Sequence, residues 1–117
     1  MKNTISVRTH IKFEDIKDIL DSASRGSSYW ADCGSLAYED TTQAIVGELR
    51  AEPIENFEAE KGETKIHHLN LKSIKKGFTV MAKKEPRHFA DFISGNYDQI
   101  TADVFLQCCL LGEVIYG

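Results

Sequence analysis

The fold turns on one stretch, Asp98-Gln99-Ile100-Thr101-Ala102-Asp103-Val104-Phe105-Leu106-Gln107-Cys108-Cys109-Leu110-Leu111-Gly112. Within it Ala102, Phe105, Leu106, Cys109 and Leu110 stand at offsets 0, 3, 4, 7 and 8, the spacing of one face of an α-helix. Asp98 is a residue type that caps a helix N-terminus by accepting an orphan backbone N–H. Gly112 can end the helix in a left-handed turn. Asp103 and Gln107 lie four apart and flank the apolar stripe, where they either face water or present hydrogen-bonding groups to a ligand.

Working back from this helix, Asn70 can cap a second one, with Leu71, Ile74, Phe78 and Met81 as its stripe and Lys72, Lys75, Lys76 and Lys83 left for solvent. Pro86 suits the first turn of a short third helix. Phe89, Phe92 and Ile93 would face inward there, and Gly95 would stop it. Near the start, Phe13, Ile16, Ile19, Leu20 and Ala23 mark an amphipathic helix, with Gly26 read as its left-handed cap.

The remaining segments read as extended. Ile5 and Val7 share a side with period two, which suggests a first strand over 2–10. Residues 29–33 read as a short strand or an ordered turn. Residues 43–50 suggest another strand, with Gly47 a candidate bulge. Residues 64–69 resume strand character. The acidic 52–63 stretch, with Pro53 and Gly62, reads as a solvated loop or hairpin tip, and Val114-Ile115-Tyr116 as an edge strand or packed tail. The expected architecture is α+β, with a small, mostly antiparallel sheet of three or four strands packed against about four helices and a helical C-terminal third. A parallel βαβ opening lacks the regular alternation needed to extend it.

The chain has 117 residues, 42% hydrophobic and 27% charged, with a net charge of −4. That suits a single domain over 1–117, since two cores would each be too small to offset chain entropy. No apolar run approaches the roughly 20 residues of a membrane span, and the start lacks the apolar stretch of a secretion signal. The three cysteines are Cys33 and the adjacent pair Cys108 and Cys109. This makes a poor disulfide framework and points to free thiols in a reducing cytoplasm.

No constellation is diagnostic of catalysis. His67 and His68 are neighbours in a strand-like run and would project to opposite faces, so they could not share one metal. His88 and Asp91, three apart on a helix, could form an imidazole–carboxylate pair. A nucleophile would still have to come from Cys108, Cys109, Ser94 or Thr101, and none has a local signature. The glycines form no phosphate loop, dinucleotide loop or nucleophile elbow. We therefore expect neither an enzyme nor a metal or cofactor. Tyr29 and Trp30 follow a Gly/Ser turn and belong either to the core or to a pocket. The candidate ligand-binding set is Tyr29, Trp30, His88, Asp91, Asp103 and Gln107.

Charge is strongly segregated. Residues 39–63 carry −6 and residues 64–87 carry +6, while 1–38 balance and 88–117 add −4. Glu52, Glu55, Glu58, Glu60 and Glu63 form a candidate partner-binding surface that could steer association or imitate nucleic-acid phosphates. The two opposed blocks could equally neutralise one another. An acidic total argues against direct nucleic-acid binding.

Several segments together resemble a widespread family of small phage and prophage proteins. They are Ser27-Ser28-Tyr29-Trp30, Gly77 with Met81-Ala82, Pro86-Arg87-His88-Phe89-Ala90-Asp91-Phe92, Asp98 with Thr101 to Gln107, and Gly112-Glu113-Val114-Ile115-Tyr116-Gly117. Residues 34–65 carry no part of the likeness, and Arg25-Gly26-Ser27-Ser28 departs from the Gly-Gly-Ser-Asn form associated with the family. The resemblance implies a mobile-element setting and no assigned reaction. By analogy of class, the expected role is stoichiometric binding of a host protein or protein–nucleic-acid complex, such as inhibition of a CRISPR effector in the bacterial cytoplasm. The alternative is a small-ligand binder, with an enzyme using His88 and Asp91 ranked last. A homo-oligomer is compatible with each.

Overall fold

Four helices carry the core: α1 (Phe13–Gly26), α2 (Leu71–Lys84), α3 (Pro86–Ser94) and α4 (Gln99–Leu111). The computed structural model describes residues 9–31 and 69–117 through their side chains, and between them the backbone of a few short segments. Helix α4 is central and packs most extensively on α1 and α2. Nine successive residues, Thr101 to Cys109, are buried, so the helix is enclosed on all sides and not merely along the expected stripe.

Around α4 the core takes Ile19, Leu20 and Ala23 from α1, Ile74, Phe78 and Met81 from α2, and Phe92 from α3. The Phe78 ring lies 4.3 Å from that of Phe105 and 5.2 Å from that of Phe92. Burying each such side chain contributes about 1.5–3 kcal/mol. Two residues expected in the core lie outside it. Leu71 is 52% exposed and Ile93 47% exposed, because each sits near a helix end where the stripe runs past its neighbours.

The helix ends follow from sequence. Asn70 Oδ1 accepts from Ser73 N at 3.0 Å, and Asp98 Oδ1 accepts from the backbone N–H groups of Ile100 and Thr101 at 3.0 and 3.2 Å. Pro86 stands in the first turn of α3. Gly95 and Gly112 close α3 and α4 with φ of 81° and 77°, a region that favours glycine. Lys84 Nζ donates to the Gly112 carbonyl at 3.2 Å, placing a cation at the negative end of α4. Gly26 is not the left-handed cap. It is the last residue of α1, followed by Ser27 at φ −97°, and a Cβ there would meet the Gln99 carbonyl oxygen at 2.5 Å.

The expected α+β class does not hold. Helix makes up 69% of the residues described through their side chains, and of these only Ala31 and Leu69 lie in a strand, so the fold is mostly α. The middle of the chain contributes only backbone ribbons. Ala31–Cys33 pairs with Leu49–Pro53, which pairs with His67–Leu69, and Ala37–Glu39 pairs with Ala44–Val46. Ribbons of three to five residues are too short to organise a core of their own. The strand expected over 2–10 falls mostly outside the described residues, and residues 9 and 10 are not strand. Among the described residues no helix is long and apolar enough to cross a membrane.

Helices α2 and α4 meet at Gly77. A Cβ there would run into Cys109 Sγ and stand 3.0 Å from the Cys109 Cα. Gly77→Ala is expected to destabilise the chain by about 1–3 kcal/mol through overpacking. Lys76→Ala, on the exposed side of the same turn, should stay within about 0.5 kcal/mol of wild type. Urea denaturation of the two variants checks both values.

Candidate functional site

Two elements build the most polar part of the interior. The first is the turn after α1, in which Ser27 N donates to Ala23 O at 2.8 Å, and Trp30 N and Ala31 N both donate to Ser27 O at 3.0 Å. This tight winding brings Ser27, Tyr29 and Trp30 against α4. The second is α4 itself, where Asp103 and Gln107 lie one turn apart and both face that turn.

The Asp103 carboxylate is the hub. Its Oδ1 accepts from Ser27 Oγ at 2.8 Å and from Trp30 Nε1 at 2.7 Å. Its Oδ2 accepts from the Tyr29 hydroxyl at 2.6 Å and from Gln107 Nε2 at 3.3 Å. A carboxylate has about four acceptor sites, and all are met. Ser27, Trp30 and Gln107 are completely buried, where an unmade hydrogen bond would be costly. Among the described residues no buried side-chain nitrogen or oxygen lacks a partner.

Gln107 extends the network to the last residues. Its Oε1 accepts from the backbone N–H groups of Ile115 and Tyr116 at 2.8 and 2.9 Å, and its Nε2 donates to Tyr116 O at 3.0 Å. The Tyr116 ring then stacks on Trp30, with centroids 4.9 Å apart and planes 21° apart. Val114 to Tyr116 thus form a packed tail, one of the two readings their sequence allowed.

Four of the six candidate ligand-binding residues, Tyr29, Trp30, Asp103 and Gln107, therefore come together, each bonded within the fold. His88 and Asp91 lie elsewhere. His88 Nδ1 lies 2.9 Å from Thr101 Oγ1 and makes no bond to Asp91, whose backbone oxygen accepts from Ser94 Oγ and Asn96 N. Thr101 and Asp103 are two residues apart, about 200° around the helix, so His88 and the hub occupy different sides of α4. Two members of the cluster were not legible as site residues. Ser27 read only as part of a helix-ending turn, and Tyr116 carried no signal beyond being an aromatic in an apolar tail.

Among the candidate partner-binding residues, Glu55, Glu58, Glu60 and Glu63 lie outside the described residues. Glu52 is placed by its backbone alone, opposite Asp32. His67 and His68 are likewise placed only by backbone. Among the described residues no group of three or more His, Cys, Asp or Glu side chains is arranged to hold a metal ion. Burial, reinforced by Glu85, pushes the Cys108 thiol up to about 11, and burial pushes Cys109 well above the usual thiol range. Both are therefore protonated, poor nucleophiles near neutrality.

No family model, no curated protein and no solved structure matches the chain. The resemblance to phage-encoded proteins accordingly gains nothing from these comparisons.

Removing the hub tests its weight. Asp103→Ala orphans the buried donors of Ser27 and Trp30, each worth about 1–3 kcal/mol when left unsatisfied. The midpoint of thermal unfolding should fall by roughly 10 °C or more.

Tyr29 adds a pH dependence. Burial raises its phenol above the usual 10.0, helped by the hydrogen bond to Asp103 and by that residue's negative charge. A raised phenol stabilises the fold fully below the unfolded value and loses that contribution as pH rises from 10 through the folded one. Burial raises the Tyr97 phenol as well, so alkaline titration at 295 nm should show late-ionising phenols of which Tyr29→Phe removes one, together with a shallower loss of stability above pH 10.

Proposed function

We propose that the protein acts by stoichiometric binding of a macromolecular partner and not by turnover. The observation that carries this reading is the saturation of the Asp103 cluster. Each carboxylate oxygen already holds two donors, and Gln107 is engaged at both its amide atoms. A substrate would have to break structural bonds to reach these groups.

The surface offers charge and apolar contact instead. Lys72, Lys75, Lys76 and Lys83 are exposed along α2. Beside the hub, Tyr29, Val114 and Ile115 are partly exposed, a mixture that suits a protein interface. With the segregated acidic block of residues 39–63, such a surface steers a partner of complementary charge. The buried free thiols fit a reducing cytoplasm. The narrower expectation of a phage-encoded inhibitor of a host-defence complex rested on resemblance, and the fold adds nothing to it.

The test is affinity purification from the source cell, comparing wild type with a variant in which Glu55, Glu58, Glu60 and Glu63 are all replaced by Gln. The wild type should retain a partner in fixed molar ratio, and the variant should lose most of it. Retention by both would remove the acidic block from the mechanism, and recovery of no partner would count against binding altogether. A second reading, a small-ligand binder, draws on the convergence of Tyr29, Trp30, Asp103 and Gln107. Mass spectrometry of the denatured purified chain would show a co-purified compound if it holds.

A further inference from the structure

We infer that the exposed face of α2 is a docking surface for the phosphate backbone of a nucleic-acid duplex, held by Lys72, Lys75, Lys76 and Lys83. This names the partner chemistry for one surface of the binding reading and rests on that reading. On a helix turning 100° per residue, Lys72, Lys76, Thr79 and Lys83 fall within about 60° of one another, and Lys75 stands about 60° to one side of Lys72. The four lysines therefore form one ridge about 16 Å long. All four are exposed, while the buried Ile74, Gly77, Phe78 and Met81 occupy the other side of the helix.

The ridge carries charge of one sign. Residues 71–84 contain no Asp or Glu, so α2 supplies no acidic neighbour one turn away to offset its lysines. The remaining lysine, Lys84, lies about 100° around the helix from Lys83. It donates to the Gly112 carbonyl at 3.2 Å and belongs to the end of α4 instead of the ridge.

Charge complementarity selects an anionic partner, and the residue types choose among anions. A lysine is a point charge that meets phosphate oxygens from many directions, whereas planar recognition of carboxylates favours the arginine fork. Helix α2 has no Arg. Lysine is also depleted from protein interfaces, which take aromatic and apolar anchors. The ridge has no aromatic side chain, and so no platform for stacking unpaired bases. A membrane fits poorly, because the apolar side of α2 is already packed on α4 and cannot enter lipid. A duplex instead presents dense rows of phosphates. The net charge of −4 opposes binding by the whole surface, and so confines contact to this one face.

The test is fluorescence anisotropy of a labelled DNA duplex of about 20 base pairs, titrated with the full chain from about 20 to 150 mM KCl. Four lysines on four phosphates give a slope of log K against log salt of about −3.6. Lys72→Gln, Lys76→Gln and Lys83→Gln should each make that slope shallower by about one. Lys84→Gln should leave it unchanged. Because phosphate contacts carry no sequence information, duplexes of unrelated sequence should bind within about twofold of each other. The substitutions are on the surface and should preserve the fold, which far-UV circular dichroism checks.

No binding at the lowest salt, or a wild-type slope shallower than about −1, would overturn the inference. Equal effects of Lys84→Gln and the ridge variants would overturn the ridge. Tighter binding to poly-glutamate would assign the face to an acidic protein, and tighter binding to an unpaired strand would remove the duplex. Tighter binding to vesicles of phosphatidylserine and phosphatidylcholine would assign it to a membrane. Each of these results overturns the proposal. Partner capture that depends on Glu55, Glu58, Glu60 and Glu63 is measured separately, so failure of the duplex leaves that reading standing.

Discussion

One carboxylate organises this chain. Asp103 is an anionic group enclosed in protein and met by four neutral donors. An enclosed carboxylate is tolerable only when its acceptor sites are filled, so the turn after α1 must close on α4 in one particular way. Closure fixes Trp30, and the bond to Asp103 helps to orient Gln107. Gln107 then holds the tail, whose Tyr116 ring lies back on Trp30. The bonds form a ring of dependence in which each member positions the next.

Helices α2, α3 and α4 were legible because their end signals agree with their apolar stripes. Asn70, Asp98, Pro86 and Gly112 act as their residue types suggest. The role of α4 was less legible. Periodicity assigns polar residues between apolar ones to a flank, and Asp103 and Gln107 read that way. Their burial depends on donors in a turn more than 70 residues earlier, a pairing that no local pattern records. Gly26 shows the same limit, because the demand on it comes from the backbone of Gln99. The strand-like runs 43–50 and 64–69 gave a local preference without its weight in the fold, and α+β was the wrong class.

The candidate site shares this history. Tyr29 and Trp30 stand out for following a Gly/Ser turn and Asp103 and Gln107 for flanking the stripe of α4, and these four converge while His88 and Asp91 do not. Their convergence serves packing, and the proposed binding role would fall to the half-exposed Tyr29 and the lysine face of α2.

The close approach of Gly77 to Cys109 has a consequence for chemical damage. With α2 packed against the sulfur at Gly77, an oxygen added to that thiol on the side facing α2 would press the two helices apart. Oxidation of Cys109 would therefore mark a molecule whose α2–α4 contact had already opened, and the larger sulfenic or sulfinic group would hinder its closing. An oxidised sulfur there would be a chemical record of past opening.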